Sequence, residues 1–253
     1  MTASREIRLK SRPVGVPATT DFELATVEVS PPGDGEIQVR NLWMSVDPYM
    51  RGRMTDRKSY VPPFELGKVL QGGAIGEVVG SNDPDFKPGD VVSTMFGWRE
   101  VFNVSPKALA AAGMGAVTKI DTHGLPPQTF LGVAGMPGLT AYAGLLRIAA
   151  LNSARPFGRF ALCGMISQYN ETGKPVGPWN IAQIVGKSLR LEGFIVSNHY
   201  DLAPQFIKDM AGWIGAGQMK WNETIEEGVD RAPEAFIKLF KGENLGKMLV
   251  KLG

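Results

Sequence analysis

The sequence predicts a fold of the class α/β plus β, in which an all-β first part precedes a segment of mixed helices and strands. Short β-rich runs cut by turn residues follow one another from residue 6 to about residue 118, at a spacing of roughly 8 to 12 residues. Beyond residue 130 the apolar residues take helical spacing, and short apolar runs typical of parallel strands occur. Most of the 18 prolines precede residue 140, where frequent turns are expected.

Four β-rich runs predict the strands of the first part. They read "FELATVEV", "IQVRNLWMSV", "AIGEVVGS" and "VVSTMFGWREVFNV", and the turn stretches "PPGDGE" and "NDPDFKPGD" lie between them. Closely spaced short strands of this kind are typical of a small barrel or sandwich. We therefore expect residues 6–118 to form such a domain.

The second part mixes helix and strand patterns. "QTFLGVAGMPGLTAYAGLLRIAA" predicts one or two largely buried helices, and "GRFALCGMI" and "SLRLEGFIV" predict central strands covered on both faces. "YDLAPQFIKDMAGWIGAGQM" and "VDRAPEAFIKLFKGEN" predict amphipathic helices with Asp201 and Asp230 as candidate N-caps. Gly242 is expected to end the second helix, and "GKMLVKL" to form a closing strand.

Composition narrows the function classes. The formal net charge is +2, from 27 basic and 25 acidic residues, so we expect a small-molecule partner, no nucleic acid and no membrane. The one cysteine, Cys163, excludes an internal disulfide, and the start "MTASREIRLK" lacks the apolar run of a signal peptide. These features favour a cytoplasmic location.

The sequence lacks the residues that a zinc site or a serine hydrolase would need. Two histidines, His123 and His199, and one thiol do not make a zinc ligand set, so no metal site is expected. No G-x-S-x-G motif occurs, which argues against a serine hydrolase.

Five motifs, in order, resemble a known family. They are "MSVDPYMRGRM", "FKPGDVV", "GMPGLTAYAGL", "CGMISQYN" and "GENLGKMLV". The sequence resembles the zinc-independent medium-chain dehydrogenase/reductases of the leukotriene B4 dehydrogenase, prostaglandin reductase and curcumin reductase group, which are NADPH-dependent reductases of conjugated double bonds. The resemblance implies a GroES-like β-barrel formed by residues 1–130 and 222–253, with a Rossmann-type cofactor domain inserted at residues 131–221. It also implies a homodimer that pairs through "SLRLEGFIV".

One part of the family pattern is missing. After "TAYAGLL" the family has a strand, a glycine-rich turn that opens a helix, and further strand-helix units that select NADPH. Their loss removes on the order of 90 residues, which leaves a truncated Rossmann-type remnant with a joint near residues 148–151. An engineered deletion, a segment dropped from the recorded chain and natural shortening all remain open. Because the pyrophosphate needs a helix N-terminus and the 2′-phosphate needs basic side chains, we expect weak NADPH binding and an inactive chain.

The resemblance assigns the remaining site residues. It makes Tyr169 the catalytic residue, whose phenol steadies the enolate oxygen that forms as hydride reaches the β-carbon of an unsaturated ketone or aldehyde. The alternative for Tyr169 is a loop tyrosine with a packed ring and a hydrated hydroxyl. The substrate pocket would include Tyr49, Arg51 and Met136. The cofactor contacts would be Gly138, Thr140, Gly164, Ile166, Ser167 and Asn244.

Each of these assignments has a structural alternative. Tyr49 is equally consistent with an aromatic residue on the barrel surface, and Arg51 with a surface ion pair. Thr140 is a candidate helix cap, and Asn244 a residue that follows a helix end at Gly242. For the whole chain, the alternative function is a non-catalytic module that binds small apolar ligands or a protein partner.

Overall fold

The computed structural model describes residues 1–57, 61–112, 116–145, 155–174 and 181–253. The chain divides into two compact units. Unit 1 comprises Met1–Leu131 and Asn222–Gly253, and unit 2 comprises Gly132–Trp221. No described helix combines the length and apolar character that a membrane crossing needs.

Eleven strands run along the described chain. They are β1 (Thr2–Leu9), β2 (Phe22–Val29), β3 (Ile37–Ser45), β4 (Ala74–Ser81), β5 (Val91–Thr94), β6 (Val101–Val104), β7 (Thr118–Lys119), β8 (Arg159–Leu162), β9 (Arg190–Gly193), β10 (Glu223–Glu227) and β11 (Lys247–Lys251). The predicted runs "FELATVEV" and "AIGEVVGS" coincide with β2 and β4, and the last long run divides into β5 and β6. The prediction that strands dominate the first part is confirmed, although two short helices, Tyr49–Arg53 and Pro106–Ala111, also lie within it.

Six α-helices lie between these strands in the described residues. They are α1 (Tyr49–Arg53), α2 (Pro106–Ala111), α3 (Met136–Leu145), α4 (Gln183–Gly186), α5 (Ala203–Gly215) and α6 (Ala232–Lys241). Neither long amphipathic helix uses its predicted cap. α5 begins after Leu202 and α6 after Arg231, while the Asp230 carboxylate pairs with Arg5. Gly242 ends α6 in the left-handed conformation, as predicted.

The main sheet of unit 1 has seven strands in the order β10-β11-β3-β4-β5-β7, with β6 also paired to β3. β10 and β11 are parallel, and the other pairs are antiparallel. β1 and β2 form a separate antiparallel pair. In the part of the chain that the structure describes, β10 and β7 end the sheet without pairing to each other, so the expected barrel does not close.

Aromatic side chains fill the core of unit 1. Trp98 is fully buried, and its ring stacks on Phe22 at 6.1 Å and meets the edge of Phe236 at 6.1 Å. Phe236 belongs to the apolar face of α6, which also buries Ala232 and Ala235. Packing of these rings fixes the helix that precedes the loop carrying Asn244.

Unit 2 contains the parallel pair β8 and β9, with Arg159 opposite Arg190. The prediction of two covered central strands is wrong, because Phe160 is buried whereas Leu162 is 43% exposed. Within the described residues these strands form a sheet of only two, so no further strand shields their outer edges. In α3, Leu139 is buried against Phe206 of α5, as expected for a largely buried helix, whereas Met136 at its start is 41% exposed.

Candidate functional site

The candidate pocket residues of unit 1 lie directly after β3. The strand ends at Ser45, and a short loop leads into α1, which begins at Tyr49. Met50 anchors this helix in the core, and the half-buried Tyr49 packs against the same core cluster. The packing of Met50 and of Tyr49 itself against the core therefore holds Tyr49 in place at the start of α1.

Arg51 follows on the same helix and is buried, at 3% exposed. Its Nη2 donates hydrogen bonds to the carbonyl oxygens of Pro13 (3.1 Å) and Gly15 (2.9 Å), and its Nε donates to Gly15 at 3.1 Å. Burial lowers the pKa of the guanidinium, and Arg57 lowers it further. These contacts tie the segment around residue 15 to α1. The role of Arg51 in substrate binding stays a prediction.

An ion pair closes the base of this loop. The Lys247 Nζ donates to Asp47 Oδ1 at 2.6 Å and to the Val46 carbonyl oxygen at 3.3 Å. The Ser45 hydroxyl donates to the other carboxylate oxygen of Asp47. Sequence reasoning did not single out Asp47 or Lys247, although both lie inside the motifs that carry the resemblance.

Asn244 lies in the loop between α6 and β11. Its Nδ2 donates to the Gly246 carbonyl oxygen at 2.7 Å, and the side chain is half-buried. The same loop is held by Thr224, whose hydroxyl donates to the Leu245 carbonyl oxygen at 3.0 Å and accepts from the Leu245 N–H at 2.9 Å. The structure thus brings Tyr49, Arg51 and Asn244 into unit 1.

In unit 2 the turn after β8 carries four of the predicted site residues. A single 3-10 turn, Ile166–Gln168, follows the strand, and Tyr169 ends it by donating its N–H to the Ile166 carbonyl oxygen at 3.1 Å. The Tyr169 hydroxyl lies 3.3 Å from where a Cβ on Gly164 would stand. Gly164 and Ile166 are exposed, whereas Tyr169 is half-buried. The side chain of Ser167 lies outside the described residues.

The helix α3 carries Met136, Gly138 and Thr140. A Cβ on Gly138 would stand 1.7 Å from the Val133 carbonyl oxygen, so this close approach of two backbone segments requires glycine. The Thr140 hydroxyl donates to the Met136 carbonyl oxygen at 2.8 Å from within the helix. The alternative in which Thr140 caps the helix is therefore wrong. The cofactor contacts of these residues stay predictions.

The turn after β8 does not fit the phosphates of a dinucleotide. A pyrophosphate is held where a strand leads through a glycine-rich turn into a helix. Here β8 leads into the single 3-10 turn, and β9 leads through Gly193 into the 3-10 segment Val196–Leu202, which includes Asp201. The described residues of unit 2 therefore supply no phosphate cradle.

Metal ligands are also sparse in the described chain. No group of three or more His, Cys, Asp or Glu side chains that could hold an ion occurs among those residues. Cys163 is an exposed free thiol, and the His123 ring lies 3.5 Å from the Asp121 carboxylate.

Comparison with known proteins places these features in a family. Residues 5–112 match the model of the N-terminal domain of oxidoreductase. The chain is 33% identical to the NADP-dependent oxidoreductase YfmJ of Bacillus subtilis (strain 168), with 100% of this chain and 99% of that protein covered. The chain belongs to the zinc-independent medium-chain dehydrogenase/reductase family of NADP-dependent oxidoreductases.

Two further comparisons agree with this family. The NADPH-dependent curcumin reductase of Escherichia coli (strain K12) is 29% identical, with 96% of this chain and 95% of that protein covered. The crystal structure of CurA from Vibrio vulnificus in complex with NADPH matches with a TM-score of 0.86 at 28% identity, with 98% and 99% of the two chains covered. The YfmJ alignment spans 344 positions, which exceeds the 253 residues of this chain by 91.

Proposed function

We propose that this chain derives from NADPH-dependent reductases of conjugated double bonds and keeps their substrate side without the segment that holds the cofactor's phosphates. In its present form it would bind α,β-unsaturated ketones or aldehydes and would not reduce them. The observation that carries this proposal is that neither described strand of unit 2 leads through a glycine-rich turn into a helix: β8 and β9 are both followed by 3-10 segments. The 91 alignment positions without a residue of this chain support it.

Tyr169 is the proposed hydrogen-bond donor to the substrate carbonyl oxygen. Its half-buried side chain follows a turn with exposed apolar residues, and Ile166 is 45% exposed. A phenol beside such a surface donates a directed hydrogen bond while its ring contacts an apolar substrate. Tyr49, Arg51 and Met136 are the proposed substrate-side residues. Gly138, Thr140, Gly164, Ile166, Ser167 and Asn244 are the proposed nicotinamide-side contacts.

NADPH titration followed by calorimetry tests the proposal. Loss of several charge-assisted hydrogen bonds, at roughly 1.5 to 3 kcal/mol each, predicts a dissociation constant in the millimolar range or weaker. A small enone such as benzylideneacetone should bind without detectable reduction. Micromolar NADPH affinity together with enone turnover by this chain would refute the proposal.

A repaired chain provides the positive control. A family nucleotide-binding segment inserted between Ile148 and Leu151 should restore NADPH binding and enone reduction, and Tyr169→Phe should then lower the turnover. The intact mass of the purified protein tests whether the segment is absent, since the 253-residue chain has a mass of 27.3 kDa. A mass about 10 kDa higher would reveal a hidden segment of the size of three strand-helix units.

The second candidate is a non-catalytic GroES-like module that binds small apolar ligands or a protein partner. The exposed apolar side chains of Leu162, Met165 and Ile166 favour it, because such groups mark contact surfaces for ligands or partners. This candidate predicts no enone reduction even in the repaired chain.

We place the protein in the cytoplasm as a homodimer. The free thiol of Cys163 supports the location, and the uncovered strands of unit 2 support the dimer.

A further inference from the structure

Asp47 and Lys247 meet because of the register of two strands. β3 and β11 run antiparallel, with Ser45 opposite Leu249 and Met44 opposite Val250. Continuing this register past the end of β3 places Asp47 directly opposite Lys247. Two charged residues at facing positions of an antiparallel ladder are close enough to pair, and their side chains do so at 2.6 Å.

The pair adds a side-chain link between two loops that the β3–β11 ladder brings side by side. We call residues 46–49, which lead from β3 into α1, the Tyr49 loop, and residues 242–246, between α6 and β11, the Asn244 loop. The Tyr49 loop contains a turn in which the Met50 N–H donates to the Asp47 carbonyl oxygen at 3.1 Å. The Asn244 loop is held by Thr224 and by Lys247 N–H, which donates to the Asn222 carbonyl oxygen at 2.9 Å. The Lys247 side chain then crosses from the second loop to the first, where it also reaches the Val46 carbonyl oxygen.

The burial of the Asp47–Lys247 ion pair indicates that it fixes the relative position of the two loops. The Lys247 and Asp47 side chains are only 15% and 11% exposed. Replacing such a pair by apolar side chains of similar volume is often neutral or stabilising, so a buried ion pair is weak evidence of a stability role. Its directed hydrogen bonds, by contrast, fix the relative position of the groups that they join. The Ser45 hydroxyl completes the fixation by holding the second oxygen of the carboxylate.

We propose that Asp47 and Lys247 are positioning residues that couple the Tyr49 loop to the Asn244 loop. They hold the substrate-side tyrosine and the nicotinamide-side asparagine in one arrangement. Neither residue touches the ligand in this proposal. It rests on the proposed function for the roles of Tyr49 and Asn244, while the coupling of the two loops is a property of the described chain itself.

Nuclear magnetic resonance on the full chain tests the coupling. The protein has five tyrosines, so 3-fluorotyrosine labelling gives few fluorine signals, and Tyr49→Phe assigns the one required. The side-chain amide signal of Asn244 reports on the other loop. Lys247→Met, which keeps the side-chain length but removes the charge, should shift or broaden both signals. Lys247→Arg should largely restore them.

A second ion pair of unit 1 supplies the matched control. Lys119 pairs with Asp90 at 2.8 Å beside β5 and β7. Lys119→Met removes an ion pair without touching either loop, so the Tyr49 and Asn244 signals should not move. If Lys247→Met fails to fold, Asp47→Asn provides the variant without the ion pair, and Lys247→Arg remains the rescue control. Unchanged Tyr49 and Asn244 signals in folded variants that lack the pair would overturn the proposal.

Ligand binding separates this inference from the proposed function. If benzylideneacetone binds the unaltered protein, Lys247→Met should weaken its affinity about tenfold, as expected when a pocket side chain loses its positioning. Lys247→Arg should recover most of that loss, and Lys119→Met should leave the affinity unchanged. Equal affinity in Lys247→Met and the unaltered protein would contradict the coupling. If the enone does not bind at all, the proposed function fails, and the two loop signals still decide the coupling.

Discussion

At the scale of single residues, local backbone geometry explains two glycines of the family motifs, Gly246 and the predicted cofactor contact Gly138. Gly246 adopts a φ of 74°, and a Cβ there would stand 2.0 Å from the Asn222 carbonyl oxygen. Glycine at this position lets the loop carrying Asn244 close onto the chain before β10. Gly138 similarly allows α3 to begin against the Val133 carbonyl oxygen. Both glycines have a structural reason to be present that is independent of any cofactor.

Substitution of Gly246 tests this reading. We expect Gly246→Ala to lower the free energy of unfolding by about 2 to 4 kcal/mol, because left-handed strain adds to a backbone clash. Urea denaturation measures the change. Gly35→Ala is the control, since Gly35 has a φ of 68° but no atom within 4 Å of its added Cβ. Equal losses for the two variants would show that the contact with Asn222 is unimportant.

The Asp90 carboxylate gives a pH-dependent prediction. A hydrogen bond from Lys119, reinforced by the Lys87 backbone N–H, lowers the Asp90 pKa below the ordinary 3.8. Because the folded-state pKa is the lower one, the carboxylate stabilises the fold above about pH 4 and loses that contribution as pH falls through the folded-state pKa. Asp90→Asn should therefore be less stable than the unaltered protein at pH 7, with the difference shrinking as the pH falls below the ordinary pKa of 3.8. Urea denaturation across this range checks it, and a pH-independent difference would contradict it.

At the scale of elements, the parallel pair β8 and β9 has both outer edges unpaired in the described chain. β9 is a short strand with its outer edge unpaired in the described residues, and Leu191 lies on it half-buried. Unpaired edges with apolar side chains readily add another strand. A second copy of β9 satisfies both the edge and a two-fold axis.

Self-association should therefore depend on β9. Light scattering at about tens of micromolar is expected to give the mass of a dimer, a range suited to interfaces of moderate affinity. Leu191→Lys should produce monomers, because a charge on an edge strand disfavours strand addition. Leu162→Lys on β8 is the matched control and should leave the dimer intact. A monomer for the unaltered protein would refute the pairing.

At the scale of the whole molecule, the two units differ in the core that supports their predicted site residues. Unit 1 keeps a seven-stranded sheet and a core of packed aromatic rings. Unit 2 keeps a two-stranded sheet and a cluster built on Leu139, Phe206 and Met210. Tyr49, Arg51 and Asn244 therefore belong to the unit with the larger core, and Met136, Tyr169 and the other predicted cofactor contacts belong to the unit with the smaller one.

The protein is expected to bind no zinc in stoichiometric amount. Cys163 and the two histidines are its conventional soft and nitrogen ligands, and the described residues do not gather such groups into a site. Elemental analysis of protein purified without chelators should find far less than one zinc per chain. Near-stoichiometric zinc would contradict the prediction.

Local patterns allowed much of unit 1 to be predicted. β2 and β4 follow from apolar alternation between turn residues, and the end of α6 follows from Gly242, because these signals act over a few neighbouring residues. β10 was missed because "ETIEE" is rich in charge and lacks an apolar run. Burial in unit 2 was misjudged because the covering of a strand depends on neighbours distant in sequence.

The sequence by itself determined the fold class, the family and the absence of a glycine-rich phosphate turn, because each depends on short motifs of neighbouring residues. Only the tertiary structure decided that the Arg51 guanidinium contacts backbone carbonyls and that the sheet of unit 1 stays open in the described chain. It also decided that Asp47 meets Lys247, 200 residues away. Such contacts depend on the register of strands that are remote in sequence, and a local pattern carries no information about that register.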